Sequence, residues 1–101
     1  MTTQATEMQT SAPTEVLYMA LELSDKKWKV LFQSGAGRQR GSEVAARNLA
    51  NVGAELAAAE CRLGLPAGAK VVSCYEAGRD GFWLHRALCH HGVGNIVVDA
   101  A

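Results

Sequence analysis

Two glutamates hold positions that favour metal chemistry. Glu22 closes an apolar stretch that begins at Val16, and Glu76 follows a second apolar stretch that begins at Ala69. Each stretch has the composition of a buried strand, and sites in open α/β sheets form at the carboxyl ends of strands. Neighbouring strands lie about 4.8 Å apart, so on adjacent strands the two carboxylates can share one divalent cation. Magnesium suits such a pair because it prefers carboxylate and water oxygens. The alternative is that both are ordinary polar strand ends.

The cysteines offer less. Cys61, Cys74 and Cys89 are an odd number at wide spacings, which favours reduced thiols over a disulfide framework. A zinc site built from Cys61, Cys74 and the Cys89-His90-His91 cluster is conceivable, but the paired C-x₂-C and H-x₃-H spacings of such sites are absent. We therefore expect all three cysteines to be packing residues.

Bulk composition limits the class of protein. With 101 residues, 49% of them hydrophobic, the chain can fill the core of one small domain. Ten Lys and Arg residues offset ten Asp and Glu residues, so no basic field indicates a nucleic-acid partner. No apolar run reaches the roughly 18 residues that a membrane span needs, and the first fifteen residues do not resemble a signal peptide. These features predict a cytoplasmic protein with no membrane partner.

The first half of the chain predicts a tail followed by a hairpin. Residues 1–14 show no apolar period and are expected to be a disordered tail. The strand from Val16 is apolar on both faces, which is typical of a central strand, and Trp28, Val30 and Phe32 alternate as its hairpin partner. Residues 33–41 fit either a loop or a short edge strand, because their glycines weaken the pattern.

The second half predicts two helices and two more strands. Ser42 is a plausible N-cap for a helix whose apolar residues recur at helical spacing to Leu63. Residues 69–75 form a buried strand, residues 82–88 supply a second helix and residues 95–98 a last strand. This order calls for an antiparallel hairpin that feeds crossover helices into parallel strands, a mixed α/β sheet. The large aromatic side chains are expected in its core: Trp28, Phe32, Phe82 and Trp83.

The stretch from Val71 to Arg86, which contains Tyr-Glu-Ala-Gly at 75–78, is followed by Gly92 and by Asn-Ile-Val-Val-Asp-Ala at 95–100. It resembles the amino-terminal domain of DEDD-type insertion-sequence transposases. The resemblance extends back to Ala-Leu-Glu-Leu-Ser at 20–24 and to the strand that begins Trp28-Lys29. It implies an RNase H-like (RuvC-like) fold, present as a partial domain over residues 15–101 and truncated at the carboxyl end.

The resemblance also implies a function. Such domains bind Mg²⁺ through four acidic residues and act in DNA transposition with a separate domain that carries a serine nucleophile. By position, Glu76 matches the second acid, and Glu22 stands where the family usually has aspartate. The third and fourth acids belong to a Lys-Thr-Asp-x-x-Asp-like stretch that is expected beyond Ala101, while Asp99 lies outside the set. DNA is the implied partner, joined in some members by a guide (bridge) RNA, and the full-length protein is expected to be a homo-oligomer.

Three basic residues follow the second glutamate. Arg79, His85 and Arg86 lie at or just after the turn beyond Glu76, where they can contact a phosphate backbone or a guide RNA. Solvated residues at a helix start are the commoner explanation for such a group.

Two other functions stay open. The chain can be a non-catalytic remnant or interaction module that binds nucleic acid or a full-length transposase. It can also be an unrelated α/β domain in which Glu22 and Glu76 need not be close. If it is a transposase fragment, we expect it to be inactive alone.

Overall fold

The computed structural model describes residues 16–66, 68–78 and 80–99, so the expected tail at 1–14 lies outside the described residues. This part of the chain forms five strands and two helices. In order they are β1 (Val16–Glu22), β2 (Lys27–Ser34), β3 (Gln39–Ala45), α1 (Leu49–Arg62), β4 (Lys70–Glu76), α2 (Gly81–His90) and β5 (Gly94–Val98). Neither helix of this described part combines the length and apolar character that crossing a membrane requires.

The strands form a single mixed sheet in the order β3-β2-β1-β4-β5. The pairs β1–β2 and β2–β3 are antiparallel, whereas β1–β4 and β4–β5 are parallel. A helix lies in each connection between parallel neighbours, as such connections require. The predicted antiparallel hairpin followed by parallel strands is therefore confirmed as a mixed α/β arrangement.

The core lies on one face of this sheet. Alternate strand residues such as Leu17, Met19 and Phe32 are buried there together with Val52 of α1 and Leu84 of α2 in one continuous cluster. Both helices thus cover the same face. The opposite face, which we call the bare face, carries large apolar side chains that remain accessible: Tyr18, Leu31, Ile96 and Val98.

The third strand corrects the sequence-based interpretation. Ser42 does not cap a helix; it lies in β3, which pairs with β2 from Lys27↔Ala45 to Gln33↔Gln39. Asn48 caps α1 instead, and its side chain accepts a hydrogen bond of 3.0 Å from the Asn51 amide. Asparagine is as good an N-cap as serine, so the local signal was ambiguous and pairing with β2 determined the strand.

The aromatic residues divide between core and surface. Trp28 and Phe32 are fully buried, and the partly buried Trp83 packs on Trp28 with 6.3 Å between ring centroids. The prediction for Phe82 was wrong, because 81% of it is exposed. Asp80 and Leu84 face the sheet. Phe82 lies two positions before Leu84 in the helix, which corresponds to a rotation of about 200° around the helix axis, so Phe82 points towards solvent.

The expectation that the cysteines pack inside was also wrong. Cys61, Cys74 and Cys89 are all exposed. Cys61 and Cys89 lie in the last turns of α1 and α2, and Cys74 lies on the bare face of β4, which neither α1 nor α2 covers. Their apolar character therefore did not decide their location.

We predict that Cys61, Cys74 and Cys89 all react with an aromatic disulfide reagent in the folded chain. Because each thiol is exposed, labelling without denaturant should reach three equivalents, measured by absorbance and mass spectrometry. The variant Cys74→Ser should lower the total by one equivalent. Labelling that requires urea at any of the three sites would contradict the structure.

Candidate functional site

The structure places Glu22 and Glu76 side by side. The strands β1 and β4 pair in parallel up to Leu21↔Tyr75, and each glutamate is the next residue of its strand. Because side chains alternate between the faces of a strand, the exposed Glu22 and Glu76 both point to the bare face, opposite the buried Leu21 and Tyr75. The two predicted site residues therefore lie next to each other at the carboxyl ends of β1 and β4.

The two glutamates border a cleft of about 510 Å³. The turns that follow β1 and β4 complete it and bring in two further carboxylates, those of Asp25 and Asp80. Sequence reasoning missed both aspartates. Their positions could have indicated them, because Asp25 follows Glu22 by three residues and Asp80 follows Glu76 by four, in turns at the same end of the sheet.

Asp80 is engaged within the protein. Its side chain is 6% exposed, and it accepts hydrogen bonds from Nη1 of Arg47 at 3.3 Å and from Nε1 of Trp83 at 2.9 Å. A buried carboxylate is strongly destabilising unless it is paired in this way. Asp80 therefore anchors the start of α2 and is poorly placed to take an external ligand.

Arg47 joins this anchor to the turn after β1. Its Nη2 donates a hydrogen bond of 2.8 Å to the Asp25 carbonyl oxygen and lies 3.9 Å from the Asp25 carboxylate. The Arg47 backbone has a φ of +65°, in the left-handed region that costs an L-residue roughly 1 kcal/mol. The side chain of one strained turn residue thus links both walls of the cleft.

Glu22 and Glu76 are more available than the two aspartates. Glu22 lies 3.9 Å from Nζ of Lys29, but the two side chains are 75% and 69% exposed, and such surface pairs contribute little. For Glu76, no hydrogen bond or ion pair is seen within the described part of the chain. Their oxygen donors fit a hard cation such as Mg²⁺. Among residues 16–66, 68–78 and 80–99, no three His, Cys, Asp or Glu side chains are grouped to hold a metal, so the pair alone makes at most a partial site.

The basic residues predicted to contact nucleic acid have different surroundings. Arg79 lies outside the described residues, and Arg86 is exposed on α2. The His85 ring belongs to a network within the protein: its Nδ1 lies 2.9 Å from the Asn95 amide nitrogen, and its Nε2 lies 3.7 Å from Sγ of Cys89. Contact of these three residues with nucleic acid stays a prediction.

The network of His85 continues into the sheet. Ser73, which is 1% exposed, donates a hydrogen bond of 2.6 Å to Oδ1 of Asn95. Burial raises the pKa of the adjacent Tyr75 hydroxyl above its usual value, while hydrogen bonds with the Asn95 side chain and the His85 backbone act in the opposite direction. Tyr75 is therefore a neutral phenol buried on the face of β4 opposite to the Glu76 side chain.

We predict that Tyr75 makes folding sensitive to alkaline pH. Since the folded-state pKa is raised, the stabilisation from the neutral phenol is present below the unfolded value of about 10 and is lost as pH rises through the folded value. In urea titrations, the free energy of unfolding of the wild type minus that of Tyr75→Phe should fall as the pH rises above the unfolded-state pKa of about 10. Tyr18→Phe removes an exposed hydroxyl and is the matched control. A difference with the same pH dependence for both variants would refute the prediction.

Comparison with known proteins gives one informative relationship. No protein-family model matches the chain. Over 89 residues it is 35% identical to a protein of Sinorhizobium fredii (strain NBRC 101917 / NGR234) named "Putative transposase y4rJ", an alignment that covers 84% of this chain and 22% of the relative. The chain spans about a fifth of the length of the curated relative that it matches. This similarity covers most of the chain and relates it to a part of Putative transposase y4rJ.

Proposed function

We propose that this chain is the first part of an RNase H-like (RuvC-like) catalytic domain of a DEDD-type transposase, which recombines DNA by magnesium-dependent phosphodiester chemistry. One observation carries the proposal: Glu22 and Glu76 close adjacent parallel strands at one cleft. The sheet, with an antiparallel half and a parallel half that meet at β1, supports the fold. The similarity to Putative transposase y4rJ supports the activity.

The carboxylates of Glu22 and Glu76 would hold the metal in this proposal. When bound, magnesium supplies electrostatic stabilisation of the attacking and leaving oxygens of a phosphodiester. The protein's own contribution is to hold two anionic oxygen donors at fixed register and to keep Asp80 out of competition through Arg47 and Trp83. Two carboxylates leave most of an octahedral shell to water, so the chain alone binds the ion weakly and is inactive. By the resemblance, two further acids complete the set.

Glu22 departs from the aspartate that the resemblance leads us to expect. Its longer side chain moves the carboxylate by about one carbon–carbon bond, roughly 1.5 Å, relative to an aspartate on the same backbone. That displacement would change how the two carboxylates could hold a cation together. Glu76, in contrast, is the residue type that the resemblance implies at its position.

DNA is the proposed substrate, and the full-length protein is proposed to act as a homo-oligomer in the cytoplasm, with a guide RNA in the manner of some DEDD-type members. The chain has no net charge, so it offers little non-specific attraction to phosphates. Binding then depends on local contacts, for which Arg86, together with Arg79 and His85, is the proposed set.

We predict that Mn²⁺, which stands in for Mg²⁺, broadens the backbone amide signals of the chain around Glu22 and Glu76 in NMR spectra. Glu76→Gln should weaken this localised binding by about tenfold, because a charged ligand oxygen is replaced by a neutral one. Glu43→Gln is the control, since Glu43 is an exposed carboxylate on β3, paired at 4.0 Å with Lys27.

Broadening that is indifferent to Glu76→Gln would remove the metal site. Binding at micromolar Mg²⁺, or nicking of supercoiled plasmid that depends on Glu76, would instead show that the chain needs no further acids.

A second candidate function is a non-catalytic module that binds a full-length transposase. The bare face favours it, because Tyr18, Leu31, Ile96 and Val98 are 42%, 46%, 59% and 47% exposed on one side of the sheet. Clustered apolar surface of this kind is typical of protein contacts.

On this basis we predict concentration-dependent self-association of the chain, measured by analytical ultracentrifugation. Ile96→Lys should weaken it, because a charge is then desolvated within the apolar contact. Phe82→Lys changes an exposed residue of α2 and serves as the control. A monomer at all concentrations would argue against an interaction role for this face.

A further inference from the structure

Arg47 combines an unfavourable backbone conformation with well-formed side-chain contacts. Its φ of +65° lies in the region where glycine is the favoured residue, yet arginine occupies the turn between β3 and α1. Strained conformations persist only where the surrounding structure holds them. Here the guanidinium supplies the restraint through its hydrogen bonds to Asp25 and Asp80.

These hydrogen bonds reach the two turns that flank the acidic pair. Asp25 follows Glu22 by three residues, Asp80 follows Glu76 by four, and all four line the same cleft. The guanidinium is planar and presents its donors in a fixed fork. It therefore holds the two turns at a set distance from each other.

The connection continues into the core. The second oxygen of the Asp80 carboxylate accepts the hydrogen bond from Trp83, whose ring packs on the fully buried Trp28. The Asp80–Trp83 hydrogen bond lies at the start of α2, and the Trp83–Trp28 contact ties this part of the helix to β2. Arg47 is thus fixed to a rigid part of the molecule.

We propose that Arg47 is a positioning residue for the cleft: by tying the turn after β1 to the turn after β4, it sets the separation of the Glu22 and Glu76 carboxylates. This inference rests on the proposed metal-binding function. Arg47 acts through Asp25 and Asp80 and is not itself a ligand.

The sign of the effect on cation affinity separates positioning from simple charge. If Arg47 only places a positive charge beside the cleft, its removal raises the affinity for a cation, because repulsion is relieved. If it positions the carboxylates, its removal lowers the affinity, because the ligand oxygens lose their preset separation. Lysine keeps the charge but loses the fork. For Arg47→Lys, a pure charge effect therefore predicts unchanged affinity, whereas a positioning role predicts lower affinity.

The experiment is a Mn²⁺ titration of the 101-residue chain, with the broadening of the Glu22 and Glu76 amide signals as the readout. We expect Arg47→Ala, Arg47→Gly and Arg47→Lys each to weaken binding by about tenfold, the size of effect seen when partners of metal ligands are lost. Arg38→Ala is the control, because Arg38 is exposed and donates to the Arg62 carbonyl oxygen, away from the cleft. Tighter binding in the alanine and glycine variants, or unchanged binding in all three, overturns the proposal.

A second readout needs no metal. Hydrogen exchange of the Trp83 indole N–H reports on the Asp80 contact, and it should accelerate in the Arg47 variants but not in Arg38→Ala. Should the alanine variant fail to fold, by circular dichroism, Arg47→Lys carries both measurements.

The two readouts distinguish failure of the inference from failure of the proposed function. If Mn²⁺ localises at Glu76 and neither affinity nor exchange changes in the variants, the positioning role is wrong and the metal site stands. If Mn²⁺ does not localise in the wild type, the proposed function fails. Faster exchange would then leave Arg47 as a structural link only, which also overturns its role in positioning ligands.

Discussion

The parallel pairing of β1 with β4 is the constraint on which the rest of the arrangement depends. β1 is hydrogen-bonded to β2 on one side and to β4 on the other, so the antiparallel and parallel halves of the sheet meet there. The register that aligns Leu17 with Val71 and Leu21 with Tyr75 stacks their buried side chains beneath the helices. The same register brings Glu22 level with Glu76. Packing and candidate chemistry therefore have one cause.

Two polar networks fix α2 against the sheet. At its start, Asp80 is held by Arg47 and Trp83; near its middle, His85 contacts Asn95, which Ser73 holds from β4. A helix of 10 residues is too short to be stable alone. A buried polar group that is left unpaired destabilises the fold, so these contacts favour a single placement of the helix. The cleft takes its shape from that placement.

Local pattern predicted the elements whose residues alternate strongly and failed where tertiary pairing decides. The strands that end at Glu22 and Glu76 were predictable because their apolar runs are continuous. β3 was ambiguous because Gly41 weakens its pattern and Ser42 imitates an N-cap, and its pairing with β2 is not written in the local sequence. The contact of Arg47 with Asp80 spans 33 positions, so spacing alone cannot reveal it. Phe82 was misplaced because apolar character does not say which face of a helix is covered.

Glu22 and Leu21 are consecutive residues of one strand, and they point in opposite directions, one to the cleft and one to the core. A shift of β1 by one position relative to its neighbours would exchange these roles along the whole strand. The same alternation of side chains along β1 therefore determines both which residues enter the core and which face the cleft. An insertion or deletion within β1 would remove both at once, whereas a point substitution at Glu22 or Glu76 would remove the carboxylate and spare the sheet. As such sequences diverge, copies that keep this fold without its acids are expected to differ by substitution and not by changes of strand length.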